Sequence, residues 1–385
     1  MIAALAVALL AVAGMVSGST VGAAESQSAV VTAAVSVDAS ELMGVACPTT
    51  TLCFAVGYTL NPDTALIERW NGTSWSVVQG PNSASPVGGV LTGVACQNAW
   101  SCFAVGGGLV ERWNGIRWSV VHGASLFPGW SPQLSGVSCT STFCLAVGSQ
   151  SSSGSTRTLV ERWNGSTWSR IPSPSLFSAS SPRLTNVSCR TTSLCFAVGE
   201  YRGSTRVMTL VERWDGTSMS VVASPNPAVG DTHLHGVACP TTTNCVAVGF
   251  SFDASVFPIG MASTWVERWN GTSWSNVTSP NPGPLVNALL GVSCTAATTC
   301  VAAGEYYPSG TYVTSVTLIE SWNGVAWSVV SNPAGGFPSS FNAVRCAIAN
   351  LCFAVGKGAA GGTWSTALIE RWNGTSWTIV VNGNP

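Results

Sequence analysis

The stretch ERWNGTSWSVV occupies positions 68–78, and close variants return at 111–121, 161–171, 212–222, 267–277, 320–330 and 370–380. Each copy has an apolar run on either side of Asn-Gly, with Asp215-Gly216 in one copy. Such a pair between alternating apolar residues is the strongest short-range hairpin signal, and it predicts a type I′ turn. Two tryptophans flank the turn as 70/75, 113/118, 163/168, 269/274, 322/327 and 372/377, with Met219 in the second place beside Trp214. Their rings are expected to pack across neighbouring sheets.

Upstream of each hairpin lies a second fixed piece, such as LTGVAC followed after a short polar loop by CFAVG. Fourteen cysteines fall in these pieces as the pairs Cys47–Cys53, Cys96–Cys102, Cys139–Cys144, Cys189–Cys195, Cys239–Cys245, Cys294–Cys300 and Cys346–Cys352, with none left over. A zinc site usually joins two closely spaced pairs, so one isolated pair per repeat suits short disulfide loops in an oxidising compartment instead. The loop-entropy model gives each bridge roughly 2 kcal/mol.

Between first cysteines the steps are 49, 43, 50, 50, 55 and 52 residues, a period that indicates propellers or solenoids. Within each unit the apolar pieces are four to eight residues long, rich in Val, Trp and Phe, and no capped helical pattern separates them. Four such strands per repeat, seven times over, predict an all-β, seven-bladed propeller of four-stranded antiparallel blades with one short disulfide each. Blades are expected to start near residues 41, 90, 133, 183, 233, 288 and 342, all within 41–385.

Glu68, Glu111, Glu161, Glu212, Glu267, Glu320 and Glu370 recur in every copy, and Arg follows in all but one, where Ser321 stands. A catalytic acid is needed once or twice, whereas a structural one is needed in every blade. They are read as hydrogen bonds or ion pairs tying strands or blades together.

The order AVG, then an aliphatic-Glu-Arg-Trp-Asn/Asp-Gly-x-x-Trp hairpin, then a Ser/Pro-rich link resembles the repeats of secreted actinobacterial-type proteins without an assigned activity. That resemblance covers about residues 41–381. It departs in carrying Cys before AVG, where many such repeats have "DVW". At lower similarity the repeat resembles kelch propellers, although it lacks their double glycine, and tectonin-type lectin repeats. The last two imply a propeller fold and ligand binding, by analogy alone.

Composition narrows the partners. Only 8% of residues are charged, against about 25% in an ordinary soluble protein, and the net charge is −1. No basic footprint exists for a phosphate backbone, so nucleic acid is not an expected partner. MIAALAVALLAVAGMV followed by VGAAES reads as a secretory signal over 1–23, short for a membrane span, with an arm at 24–40. No Lys or Arg precedes Arg69, so the usual basic n-region is missing. The expectation is an extracellular or cell-surface monomer with no membrane span after cleavage.

In an up-and-down blade the Cys-bracketed loop and the WNG turn share one face, and both variable connections share the other. Variable loops on a rigid scaffold carry binding residues. All five tyrosines (Tyr58, Tyr201, Tyr306, Tyr307, Tyr312) and all three histidines (His122, His233, His235) map to this second face. With Arg202, Arg206, Trp130 and Trp364, the tyrosines are candidate contacts for a glycan, cell-wall polymer or protein. Two catalytic alternatives arise there. His233 and His235 could offer two metal ligands, too few to specify a site. Glu200 and Glu305, both following a strand-two glycine, could work with Asp231 or Asp253 as carboxylates of a glycoside hydrolase or lyase. No phosphate loop, catalytic serine motif or calcium loop occurs, so no cofactor is expected.

Overall fold

The computed structural model describes residues 39–60, 64–81, 89–123, 129–174, 180–256, 260–309, 314–333, 338–359 and 365–383. The expected leader and arm, Tyr312, Trp364 and the His122 side chain lie outside the described residues. Contacts divide the chain into Met1–Ser36 and Val37–Pro385, and all that follows concerns the second unit.

Seven sheets form, each of four consecutive antiparallel strands in sequence order. Blade 1 runs Ser40–Thr49, Leu52–Thr59, Thr64–Trp70 and Trp75–Val77. The innermost strands of the later blades are Gly93–Asn98, Ser131–Cys139, Ser180–Thr191, Asp231–Thr241, Asn287–Ala296 and Ser339–Ile348. Each packs beside the next, and Ser339–Ile348 packs beside Ser40–Thr49, so the ring closes. All seven disulfides lie within their own repeats, joining the first two strands at Cα separations of 3.9–4.1 Å.

The core is divided into seven apolar clusters, one per seam between blades. At a typical seam the Phe of CFAVG meets both tryptophans of the next blade. Phe54 lies 5.1 Å from Trp113 and 5.1 Å from Trp118, and Phe353 of blade 7 lies 5.2 and 5.1 Å from Trp70 and Trp75. Tilted and edge-on ring pairs at this spacing add to the burial of their area. The seam between blades 3 and 4 is built differently. There Leu145 replaces the phenylalanine and Met219 the second tryptophan, while Phe143, from the shortened cysteine loop, stacks on Trp214 at 6.0 Å. Three departures from the repeat thus refill one volume.

The glycine of AVG is required by close approach. A Cβ on Gly148 would sit 1.9 Å from the Gln133 carbonyl oxygen, and the other six equivalents meet a carbonyl at 1.8–2.0 Å. The cause is a β-bulge in the inner strand, which swings that carbonyl toward the second strand.

The WNG turn differs from the expected type I′ geometry. Only Gly72 has positive φ (+104°), and four residues separate the paired Trp70 and Trp75. Asn71 acts through its side chain: Oδ1 accepts from the backbone N–H of Thr73 at 2.9 Å and of Ser74 at 3.0 Å. Asp215 does the same for Thr217 and Ser218 at 2.8 and 2.9 Å. An acceptor at that position is what the turn selects, which is why Asp replaces Asn freely.

The repeated glutamates are fully buried. Five have a donor outside their own blade, on the link that leaves the preceding one. Ser173 donates to Glu212 at 2.7 Å, Ser224 to Glu267 at 2.7 Å, Ser279 to Glu320, and Asn332 to Glu370 at 3.2 Å. The C-terminal segment completes the circuit, Gly383 N–H donating to Glu68 at 3.1 Å. The arginines work on the same seams through rings. Arg69 lies over Trp113, Arg112 over Trp163, Arg268 over Trp322 and Arg371 over Trp70, at 5.4–5.7 Å. Glu and Arg are sequence neighbours in a strand, so their side chains leave by opposite faces and serve different contacts. Blade 7 carries its own fourth strand, Trp377–Ile379, and meets blade 1 through polar contacts. Asn342 Nδ2 donates to Leu42 O at 2.9 Å and Ala367 N–H to Ser40 Oγ at 2.9 Å.

Burial raises the carboxyls of Glu68, Glu212, Glu267 and Glu320 from 4.5 to about 7, and that of Glu370 to about 8. Through these groups the folded state binds more protons than the unfolded chain between pH 4.5 and about 8, so their contribution to stability is fully present below this window and is lost across it as pH rises. Denaturant unfolding with the disulfides intact should show that decline. Glu212→Gln, which keeps an acceptor for Ser173 but cannot ionise, should make it shallower; an unchanged slope would refute the assignment. Gly148→Ala should lower stability by about 3 kcal/mol, read by the same unfolding measurement.

Candidate functional site

The residue after each AVG glycine stands where the second strand leaves the uniform part of the blade. Around the ring these residues are Tyr58, Gly107, Ser149, Glu200, Phe250, Glu305 and Lys357. Inner-strand residues pair with them: Glu41 with Tyr58, Gln133 with Ser149, Arg183 with Glu200, His233 with Phe250, Ala288 with Glu305, Ser340 with Lys357. A seven-fold backbone thus presents a crown without seven-fold chemistry. The variable loops share this face, as their mutual contacts show. Asp231 Oδ1 accepts from Val207 N–H at 2.7 Å, and the Arg206 guanidinium donates to Pro227 O. At the opposite end, the Trp70 ring N–H donates to Thr50 O in the cysteine loop at 3.3 Å.

Two polar clusters dominate the crown. One spans blades 4 and 5: Arg183 Nη2 lies 2.6 Å from Glu200 Oε1, and His233 Nδ1 bonds Glu200 Oε2. Burial works to raise the Glu200 carboxyl, but the hydrogen bond and charge of His233, with Arg183, outweigh it and hold the group below its usual range. Phe250 stacks with His233 at 4.7 Å and with His235 at 5.5 Å. Burial drives the His235 imidazole down to about 4, against the pull of Glu200. The second cluster spans blades 6, 7 and 1. Glu41 accepts from Tyr58 OH at 2.8 Å and from Asn342 Nδ2 at 2.8 Å, and Lys357 Nζ lies 3.3 Å from it. Burial raises the Glu305 carboxyl; Ser315 and the charge of Lys357 oppose the shift, and Glu41 adds to it.

The candidates read from sequence fall into distinct settings. Tyr201 OH approaches Met208 Sδ at 3.6 Å and packs on the core between blades 3 and 4, while Tyr306 packs on the core between blades 5 and 6. Tyr58 turns toward Glu41. These three rings therefore serve the scaffold and keep only part of their surface open. Arg157 lies over Trp130 at 4.9 Å. Arg202 is exposed. Asp253 is half-buried and caps its own loop, accepting from Ser255 N–H at 2.9 Å and Oγ at 2.6 Å. Asp231 and Asp253 thus have different partners from Glu200 and Glu305. Among the described residues no three His, Cys, Asp or Glu side chains gather as metal ligands. Glu41, Arg183 and Asn342 escaped the sequence reading because they begin inner strands, whose variation resembles ordinary loop drift.

No family model and no curated protein matches the chain. Among solved structures it is similar to "YCF48 bound to D1 peptide", with a TM-score of 0.54 at 12% identity over 87% of this chain and 92% of that one. It is likewise similar to the WD40 β-propeller domain of Doa1, at 0.53 and 9% over 83% and 90%. A chain of the mitotic checkpoint complex gives 0.52 and 11% over 86% and 86%. At these identities the likeness establishes the β-propeller fold alone.

His235 should remain neutral down to about pH 4. Because its folded value lies below the unfolded one of 6.5, its contribution to stability is lost as pH falls from about 6.5 toward 4. An imidazole titration followed by NMR checks this; a midpoint near 6.5 would contradict the desolvation of the ring.

Proposed function

We propose that the chain is a non-catalytic recognition propeller that binds an extended segment of a protein or glycan across the mouth of its variable face. The observation that carries this reading is the crown: identical backbone positions in seven blades hold aromatic, acidic, basic, small and imidazole groups. A rigid scaffold with non-repeating chemistry at one mouth suits selection of one partner. Crown charges of both signs, largely paired with one another, favour a polymer read by shape and scattered polar contacts over a strongly charged one. One structural relative carries a peptide in its printed description, which supports including peptides among the ligands.

Exposed Arg202 and the Trp130–Arg157 pair are the contacts assigned to the ligand, with Tyr306, Tyr307 and Tyr312 beside them. Tyr312 and Trp364 enter through the sequence reading alone. Export belongs to the same proposal, resting on the leader-like start, the disulfides and the resemblance to secreted repeat proteins. The mature protein is proposed to act as a monomer, without a cofactor.

A second reading has one observation in its favour. Glu305 and Glu200 occupy equivalent places in blades 6 and 4, yet burial raises one carboxyl while His233 and Arg183 lower the other. Carboxylates driven apart in this way can divide acid and base roles in glycoside cleavage.

Probing the protein against arrays of peptides, polysaccharides and cell-wall fragments, with product analysis of every hit, separates the two. Recognition predicts binding without turnover, weakened at least tenfold by Arg202→Ala combined with Trp130→Ala. Turnover abolished by Glu305→Gln or Glu200→Gln would replace it with the hydrolase reading.

A further inference from the structure

A cavity of about 1130 Å³ runs between the inner strands, lined by backbone and small side chains. Three ionisable side chains reach it, His235, Arg190 and Arg345, and no Asp or Glu lines it among the described residues. His235 is neutral above about pH 4, so the lumen carries two uncompensated positive charges at neutral pH.

The repeat singles out Arg345. The residue before the inner cysteine is alanine or serine in six blades and arginine in the seventh. Nothing in the scaffold needs a cation there. Arg345 is exposed to the lumen, has no hydrogen-bond or ion-pair partner among the described residues, and is surrounded closely enough that desolvation lowers its pKa. Arg190 follows the cysteine of blade 4 and is likewise exposed and unpartnered among the described residues. Both side chains line the lumen, Arg345 just before its cysteine and Arg190 just after its own. Blades 4 and 7 are three apart in a ring of seven, so the two guanidiniums come from opposing walls. At the level of Arg345 the far wall carries Ser138 and Ser188. Each accepts a backbone N–H from the next blade, from Cys189 at 2.9 Å and Cys239 at 3.0 Å, which leaves its hydroxyl proton to donate.

We propose that the channel holds an oxyanionic group, a phosphate, sulfate or carboxylate, between Arg345 and Arg190 near the cysteine-loop end. A guanidinium presents paired donors that match such a group, and two of them in an enclosed lumen bind it more strongly than the same pair would on the open surface. Two like charges facing one lumen repel each other, and a bound anion offsets that repulsion. The site lies at the other end of the channel from the crown and does not depend on what the crown recognises.

Calorimetric titration with inorganic phosphate, sulfate and citrate at fixed low ionic strength tests this. Saturable one-to-one binding is expected, weakened at least tenfold in Arg345→Ser and in Arg190→Gln, and unchanged in Arg117→Gln on an outer hairpin. Preference for citrate over phosphate and sulfate would assign the natural group as a carboxylate, and the reverse as a phosphate or sulfate. Binding that fails to saturate, or that is equal in all four proteins, would overturn the site. A second reading needs no ligand: without anion, Arg345→Ser should melt at or above the parent temperature, because an unpaired cation is removed. A markedly lower melting temperature would mean that Arg345 is structural, and would equally overturn the proposal.

Discussion

The ring depends on a hydrogen bond delivered into a carboxyl group that water cannot reach. Each blade could pair its four strands alone, but nothing within a blade fixes its angle to the next. The buried glutamate does so at the five seams where its donor is seen, because that donor sits on the link leaving the preceding blade. An unsatisfied carboxyl in such a place costs more than an ordinary hydrogen bond contributes, so a misplaced link is penalised strongly. The penalty makes the contact a positioning device even where its net stabilisation is small.

Around this bond the seam is filled by non-directional packing. The Phe–Trp–Trp triads and the arginines over rings supply area and tolerate exchange, as the seam between blades 3 and 4 shows. There a shortened loop, a leucine and a methionine are compatible because Phe143 restores the lost volume. The polar contact has no such latitude: every repeat keeps its glutamate, and the donor is Ser, Asn or a backbone N–H.

The fold was legible because period, cysteine spacing and strand length all pointed one way. The hairpin was legible as a hairpin but not in its conformation, since Asn-Gly also suits a loop held by the asparagine side chain. The role of the glutamates was legible from their number, although the partner was not, because a serine in a Ser/Pro-rich link carries no mark. Sequence located the variable face through its rare residues, yet Tyr58, Tyr201 and Tyr306 proved to be turned toward the scaffold. Rarity finds the face; it does not tell which side of a strand end a ring will take. Arg345 was visible as the one charged residue at a position of small ones, a signal that emerges only when the repeats are aligned position by position.

Each blade is made of four consecutive strands, and the last seam is closed by side chains and a short tail. Many rings are locked by lending one strand from the chain's beginning to its final sheet. Among the described residues no ladder crosses the junction of blades 7 and 1. The described ring is therefore a split washer, which can part at one place without unzipping any of its sheets. A duplicated or deleted repeat can enter the ring as a whole wedge, with no strand left to be rethreaded, so change in blade number is mechanically simple for this architecture.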